Sequence, residues 1–82
     1  MGASFYWQPF NNGKYISIGL RSQFLNLMSN EFGEYPWILF TNDSKALRAI
    51  ANEIEDDLIK AALNMLADNC ELYEKIVVWP EY

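Results

Sequence analysis

Two strand-like segments rich in bulky apolar residues, one toward each end of the chain, constrain this sequence more than any other feature. Ser4-Phe5-Tyr6-Trp7-Gln8 runs into Pro9, and Glu74-Lys75-Ile76-Val77-Val78-Trp79 runs into Pro80. Aromatic and β-branched residues suit a pleated, half-buried surface, and proline lacks the N–H that a ladder needs, so each segment reads as a strand stopped by its proline. Strand alternation puts Phe5 and Trp7 on one face, with Ser4, Tyr6 and Gln8 on the other. It likewise sets Ile76 and Val78 against Val77 and Trp79. A sheet built from these strands carries large apolar groups on both faces, whereas one layer of helices covers a single face. Either a loop shelters the second face, or it awaits a partner. The competing reading is a small domain that spends its rings on a bulky core.

Between these segments the signals are mostly helical. Asn11-Asn12-Gly13 is a turn signal, because Asn and Gly tolerate positive φ, and Tyr15–Ile18 reads as the returning strand of a hairpin. Ser22 is a candidate cap for a helix over about 22–32, in which Phe24, Leu25, Leu27, Met28 and Phe32 follow at helical spacing. Gly33 stands where a left-handed C-terminal residue is wanted. Glu34-Tyr35-Pro36 reads as an extended connection, and Trp37–Phe40 as a short buried strand or core plug. Asn42, Asp43 and Ser44 compete to cap the next helix, along which Leu47, Ile50, Ile54, Leu58, Ala62, Met65 and Leu66 recur every three or four residues. One helix could run the whole length, but Asp56 and Asp57 are better caps than interior residues. They favour two helices, about 44–54 and 57–68, with Asn69 closing the second.

The expected fold is α+β, one domain over residues 1–82. It comprises a small, mostly antiparallel sheet of three to four strands with the N- and C-terminal strands adjacent, and about three helices on one face.

Composition narrows the function. The 82 residues are 51% hydrophobic and 16% aromatic, with a formal charge of −5, one cysteine and no histidine. This is the composition of a globular domain rather than a disordered tail. The six basic residues are scattered singly, whereas a nucleic-acid binder needs a basic stripe to neutralise phosphates, so direct nucleic-acid binding is not expected. No signal peptide, membrane span or lipidation pattern is legible, and a single cysteine fits a reducing compartment. A soluble, cytoplasmic protein is the expectation.

Chemistry is hard to assemble from what remains. Histidine, the commonest general base, is absent. Cys70 has only Lys75 as a basic neighbour in sequence and reads as a small apolar residue at a helix end. Gly2, Gly13, Gly19 and Gly33 lie too far apart for a phosphate loop. Glu53, Glu55, Asp56 and Asp57 form an acidic cluster, and Glu53, Asp56 and Asp57 would share a face only if one helix ran through them. Without a turn glycine the cluster reads as solvated helix-start charge or a local acidic plug for a basic groove, not a cation loop. No catalytic residue, metal ligand or cofactor site is assigned.

The segments Met1-Gly2-Ala3-Ser4-Phe5-Tyr6-Trp7 and Lys75-Ile76-Val77-Val78-Trp79-Pro80-Glu81-Tyr82, with the Pro36-Trp37 junction, resemble a loosely defined set of small bacterial hypothetical proteins. The resemblance implies pairing of the terminal strands and carries no active site with it. In size and charge the chain also resembles phage antagonists of host defence such as anti-CRISPR proteins.

The expectation is therefore a non-catalytic protein-binding module, a small acidic inhibitor or adaptor of bacterial or phage origin that acts by steric blocking. Tyr6, Trp79 and Tyr82 are the expected anchors, and Glu53, Glu55, Asp56 and Asp57 steer toward a protein partner with a basic surface. Alternatives are a small-ligand pocket for an aromatic or nucleotide-like molecule lined by Tyr6, Trp7 and Trp79, and a homo-oligomer, such as a homodimer, paired through sheet edges or faces.

Overall fold

The computed structural model describes the backbone of residues 2–7, 12–17 and 22–81 and the side chains of residues 23–79. The fold is α+β. Strands β1 (Gly2–Trp7) and β2 (Asn12–Ser17) precede helix α1 (Ser22–Phe32) and strand β3 (Trp37–Phe40). A single 3₁₀ turn, Thr41–Asp43, leads into helices α2 (Ser44–Glu53) and α3 (Asp57–Tyr73), and β4 (Lys75–Glu81) follows. The backbone strands lie in the order β2-β1-β4-β3. Every pairing is antiparallel, with Phe5 opposite Val78 between β1 and β4, and Trp37 opposite Val78 between β3 and β4.

The helices form where the spacing indicates, and their ends have local causes. Gly33 follows α1 with φ of 83°, and its N–H reaches back to the Ser29 carbonyl at 2.9 Å. A residue without Cβ adopts that left-handed geometry at no steric cost. The break between α2 and α3 falls at Ile54–Asp56. Ile54 is extended there (φ −96°, ψ 135°), and the Asp56 carboxylate accepts from the N–H groups of Leu58 at 2.9 Å and Ile59 at 3.2 Å. Those two donors have no intrahelical partner at a helix start, so the cap makes a second helix cheaper than one continuous rod.

Residues 34–36 bend, with a cis Tyr35–Pro36 peptide, where an extended connection was expected. Helix α3 runs past Asn69 to Tyr73, because the Asn69 amide donates to the Met65 carbonyl one turn back instead of ending the helix. The helix stops at Glu74, a non-glycine residue with φ of 66° whose carbonyl accepts from the Thr41 N–H at 3.1 Å. Asn12 and Gly13 belong to β2, opposite Trp7 and Tyr6, and are not turn residues. The connecting residues 8–11 lie outside the described residues, as does the Ser22 side chain proposed as a cap. Strand β4 continues through Pro80, where a stop was expected. Pairing with β3 ends at Val78, so Pro80 has a strand on one side only and its missing N–H is tolerated there.

The described core lies between the helices and one face of β3–β4. Phe24 and Met28 of α1, Leu47 and Ala51 of α2, and Ile59, Leu63 and Leu66 of α3 pack with Trp37, Leu39, Ile76 and Val78. The Trp37 indole is fully buried and donates from Nε1 to the Gly33 carbonyl at 2.8 Å. Phe24 meets it edge to face at 6.3 Å between ring centroids, which ties α1 to β3.

Candidate functional site

The faces of β3 and β4 differ in what covers them. Trp37, Leu39, Ile76 and Val78 point into the core, while Ile38, Phe40, Val77 and Trp79 occupy the other side. There Ile38 is 50% exposed, Phe40 51% and Trp79 43%. Two large aromatics and an isoleucine left half in water on one small patch are more than scattered surface apolars, and such patches mark contact sites. Lys75 extends across the Phe40 ring, its Nζ 5.8 Å from the centroid, so a cation at this patch lies over an aromatic face. None of the described β3 and β4 side chains on this face is a carboxylate, and the Asp43 carboxylate of the 3₁₀ turn reaches the Phe40 N–H at 2.7 Å. The β3 reading thus needs correction: it is a half-buried strand, not a wholly buried one.

The expected anchors are placed unevenly. Trp79 is on the open face. Register sets Tyr6 opposite Val77, but the Tyr6 side chain, the whole of Tyr82 and the Trp7 side chain offered as a pocket wall lie outside the described residues. Ile38 and Phe40 were missed as site residues, because an uninterrupted apolar run such as Trp37–Phe40 gives no alternation from which an exposed face can be read.

The acidic cluster sits elsewhere. Glu53 ends α2 and Asp57 opens α3, with Glu55 and Asp56 between them, at the tip of the helical hairpin that packs on the core side of the sheet. The structure does not bring these residues together with Trp79. The helix break also removes the single helical face that Glu53, Asp56 and Asp57 would have shared. Asp56 is half-buried and engaged as the α3 cap, leaving Glu53, Glu55 and Asp57 as the exposed charges.

A second charged cluster lies across α2 and α3. The Arg48 guanidinium donates to Asp68 at 2.6 Å and to Glu71 at 2.9 Å. Hydrogen bonds from Arg48, then from Ser44, hold the Glu71 carboxyl below its ordinary value, and the same pairing raises Arg48. Side chains that remain substantially exposed make this a modest clamp between helices. Cys70 is fully buried three residues before the end of α3, and burial pushes its thiol up to about 12, with the Asp43 and Glu71 charges adding to the effect. A thiol so held is neutral at ordinary pH and has no nucleophilic character. Among the described residues no group of three or more Cys, Asp or Glu is placed to hold a metal ion, and no helix is long and apolar enough to cross a membrane. A depression of about 170 Å³ lined by Leu27, Asn30, Glu31 and Ile50 lies on the helical side, away from Trp79. It is smaller than the ~300 Å³ at which ligand pockets usually begin.

No protein-family model, no curated protein and no solved structure matches the chain.

Proposed function

We propose that this chain is a non-catalytic protein-binding module built on one four-stranded antiparallel sheet, with its helices on one face and its contact surface on the other. The observation that carries this reading is the open β3–β4 face, where Ile38, Phe40 and Trp79 stand half exposed. On a chain of net charge −5, half-exposed apolar side chains of this kind are where a partner's apolar surface can dock with little desolvation of charge. The occupant is a partner protein presenting an apolar patch, and occlusion of that patch is the mechanism. The likeness in size and charge to phage antagonists supports reading the occlusion as inhibitory, in a bacterial or phage setting.

The test places a photo-crosslinking residue at position 38 or 79, with exposed Lys45 on α2 as the control position, in bacterial cells. Adducts to one partner from positions 38 and 79 but not 45 are expected. The purified partner should then lose at least about tenfold in affinity for the Trp79→Ser variant. Adducts only between copies of the chain would replace this reading with self-association. No adduct from either sheet position, or unchanged affinity of Trp79→Ser, would overturn it.

A further inference from the structure

Helix α3 carries a second uncovered stripe, of which the sequence periodicity places Leu58 and Met65 in the apolar repeat. Leu58, Met65 and Leu72 are spaced seven residues apart, and Ala61 and Asp68 fall between them at the same interval. That is the interval of a helix–helix seam, with Asp68 as its one charged position. The core side of α3 is already supplied by Ile59, Ala62, Leu63, Leu66, Ala67 and Cys70, so the seam points away from it. Leu58 is 54% exposed and Leu72 69%, Ala61 is exposed and Met65 half-buried. Leu58, Ala61 and Leu72 form an open track along one side of the helix, interrupted by Asp68, with Met65 between them packed partly against the core.

The charges beside the track are mostly acidic, with Lys60 the one cation of α3. Asp57, Asn64 and Glu71 flank it at the same seven-residue interval, and Glu53 and Glu55 extend its N-terminal end. Among the described residues Glu53, Glu55 and Asp57 make no ion pair, and Arg48 offsets part of the charge of Asp68 and Glu71 at the other end. A second α3 laid against this track would bring Asp57, Asp68 and Glu71 against carboxylates of its own kind, which disfavours a homotypic pair.

We infer that α3 docks a basic amphipathic helix of a partner protein, its apolar residues seated at heptad spacing on Leu58, Ala61, Met65 and Leu72 and its Lys or Arg flank facing Asp57 and the Glu53–Glu55 turn. This rests on the protein-binding reading above but assigns the acidic cluster to a different surface from the one that holds Trp79.

The test uses three designed peptides of about five helical turns, read by fluorescence anisotropy against the intact chain. One has Leu at heptad positions with Lys and Arg flanks, one has the same composition with the heptad permuted, and one has Glu flanks. The first should bind, with affinity falling as salt rises, and the other two should be at least about tenfold weaker. The Leu58→Ser/Leu72→Ser double variant should lose about tenfold or more for the first peptide, while Trp79→Ser keeps full affinity. Both leucines are largely in water, so the double variant should fold, as circular dichroism would verify. Equal binding of the permuted peptide, an unaffected double variant, or no binding would overturn the inference. So would a wild-type dimer in sedimentation that the double variant abolishes, because a second copy would then be the occupant. Loss of peptide binding in Trp79→Ser alone would overturn it in favour of the sheet face. Loss in the double variant with no crosslink at positions 38 or 79 would leave the stripe standing and remove the sheet reading.

Discussion

Replacing Asp56 by alanine separates the structural carboxylate of the acidic cluster from its exposed neighbours. The Asp56 side chain accepts two backbone N–H groups at the start of α3, from Leu58 and Ile59. Truncation leaves both donors to water and removes a negative charge from the positive end of the helix dipole. An N-cap of this kind is worth about 1 kcal/mol, with about 2 as the upper end. For a domain of this size a urea m-value near 1 kcal/mol per molar turns that into a midpoint lowered by about 1 M. Asp56→Asn keeps the acceptor and loses only the charge, so about 0.3–1 kcal/mol is expected of it. Glu55→Ala, at an exposed position without a capping role, should stay within about 0.5 kcal/mol of wild type. Urea unfolding at neutral pH, followed by circular dichroism, measures all three. The reasoning fails if Asp56→Ala is no worse than Glu55→Ala, or if Asp56→Asn costs as much as the alanine.

Other consequences follow from the same geometry. Trp37→Phe removes the 2.8 Å bond to Gly33 and leaves part of the indole volume empty between α1 and β3. A loss of about 2–3 kcal/mol in thermal or urea unfolding is expected, and a loss under about 1 would show that the site collapses freely. Glu74→Gly relieves a left-handed non-glycine residue at the end of α3. Set against the extra chain entropy of glycine, a net gain of about 0.5 kcal/mol is expected, which Glu74→Ala should not reproduce. Because Arg48 holds the Glu71 carboxyl below its ordinary 4.5, the pair's contribution is present above that pH and disappears as pH falls through the lowered folded-state value. Arg48→Gln should therefore narrow the difference in urea midpoint between about pH 6 and about pH 3, and an unchanged difference would mean that the clamp contributes nothing.

Where a local device ends an element, the sequence shows it. Gly33 closes α1 and Asp56 opens α3, and both boundaries follow from the preference of one residue for a backbone geometry or a donor. Where neighbours in space decide, the sequence is silent. Pro80 stays in β4 because β3 is too short to reach it, a fact about register that no local pattern contains. The end of α3 at Glu74 has no glycine to announce it, and Asn69 imitates a stop until its amide is seen bonded to Met65. Leu58 fits the apolar period of a single long helix. The break at residues 54–56 resets the phase so that Ile59, Leu63 and Leu66 take the core and Leu58 is turned out. The same holds for the site: alternation in β4 places Trp79 opposite Val78, but the contribution of Ile38 and Phe40 requires knowing which face of β3 the helices cover.

The β3 edge of the sheet argues against strand addition on that side, next to the open face. Strand β3 is an edge strand of four residues. Its Phe40 N–H turns away from β4 and is taken by the Asp43 carboxylate at 2.7 Å, inside the same chain. With residues alternating in direction, only Ile38 and the Phe40 carbonyl still offer an incoming strand anything, which is too little for a ladder. Asp43 thereby blunts the edge next to the half-exposed Ile38, Phe40 and Trp79, where strand pairing would otherwise lead to aggregation. It spends no side-chain hydrogen bond on capping α2, so Asp43→Ala should leave that helix intact while exposing the Phe40 donor. More self-association than wild type in sedimentation velocity across a concentration series is the expected outcome. It should be suppressed when Ile38→Lys adds charge to the same strand. An Asp43→Ala protein that sediments like wild type at every concentration would show that the short strand protects itself, and that the carboxylate is not the guard.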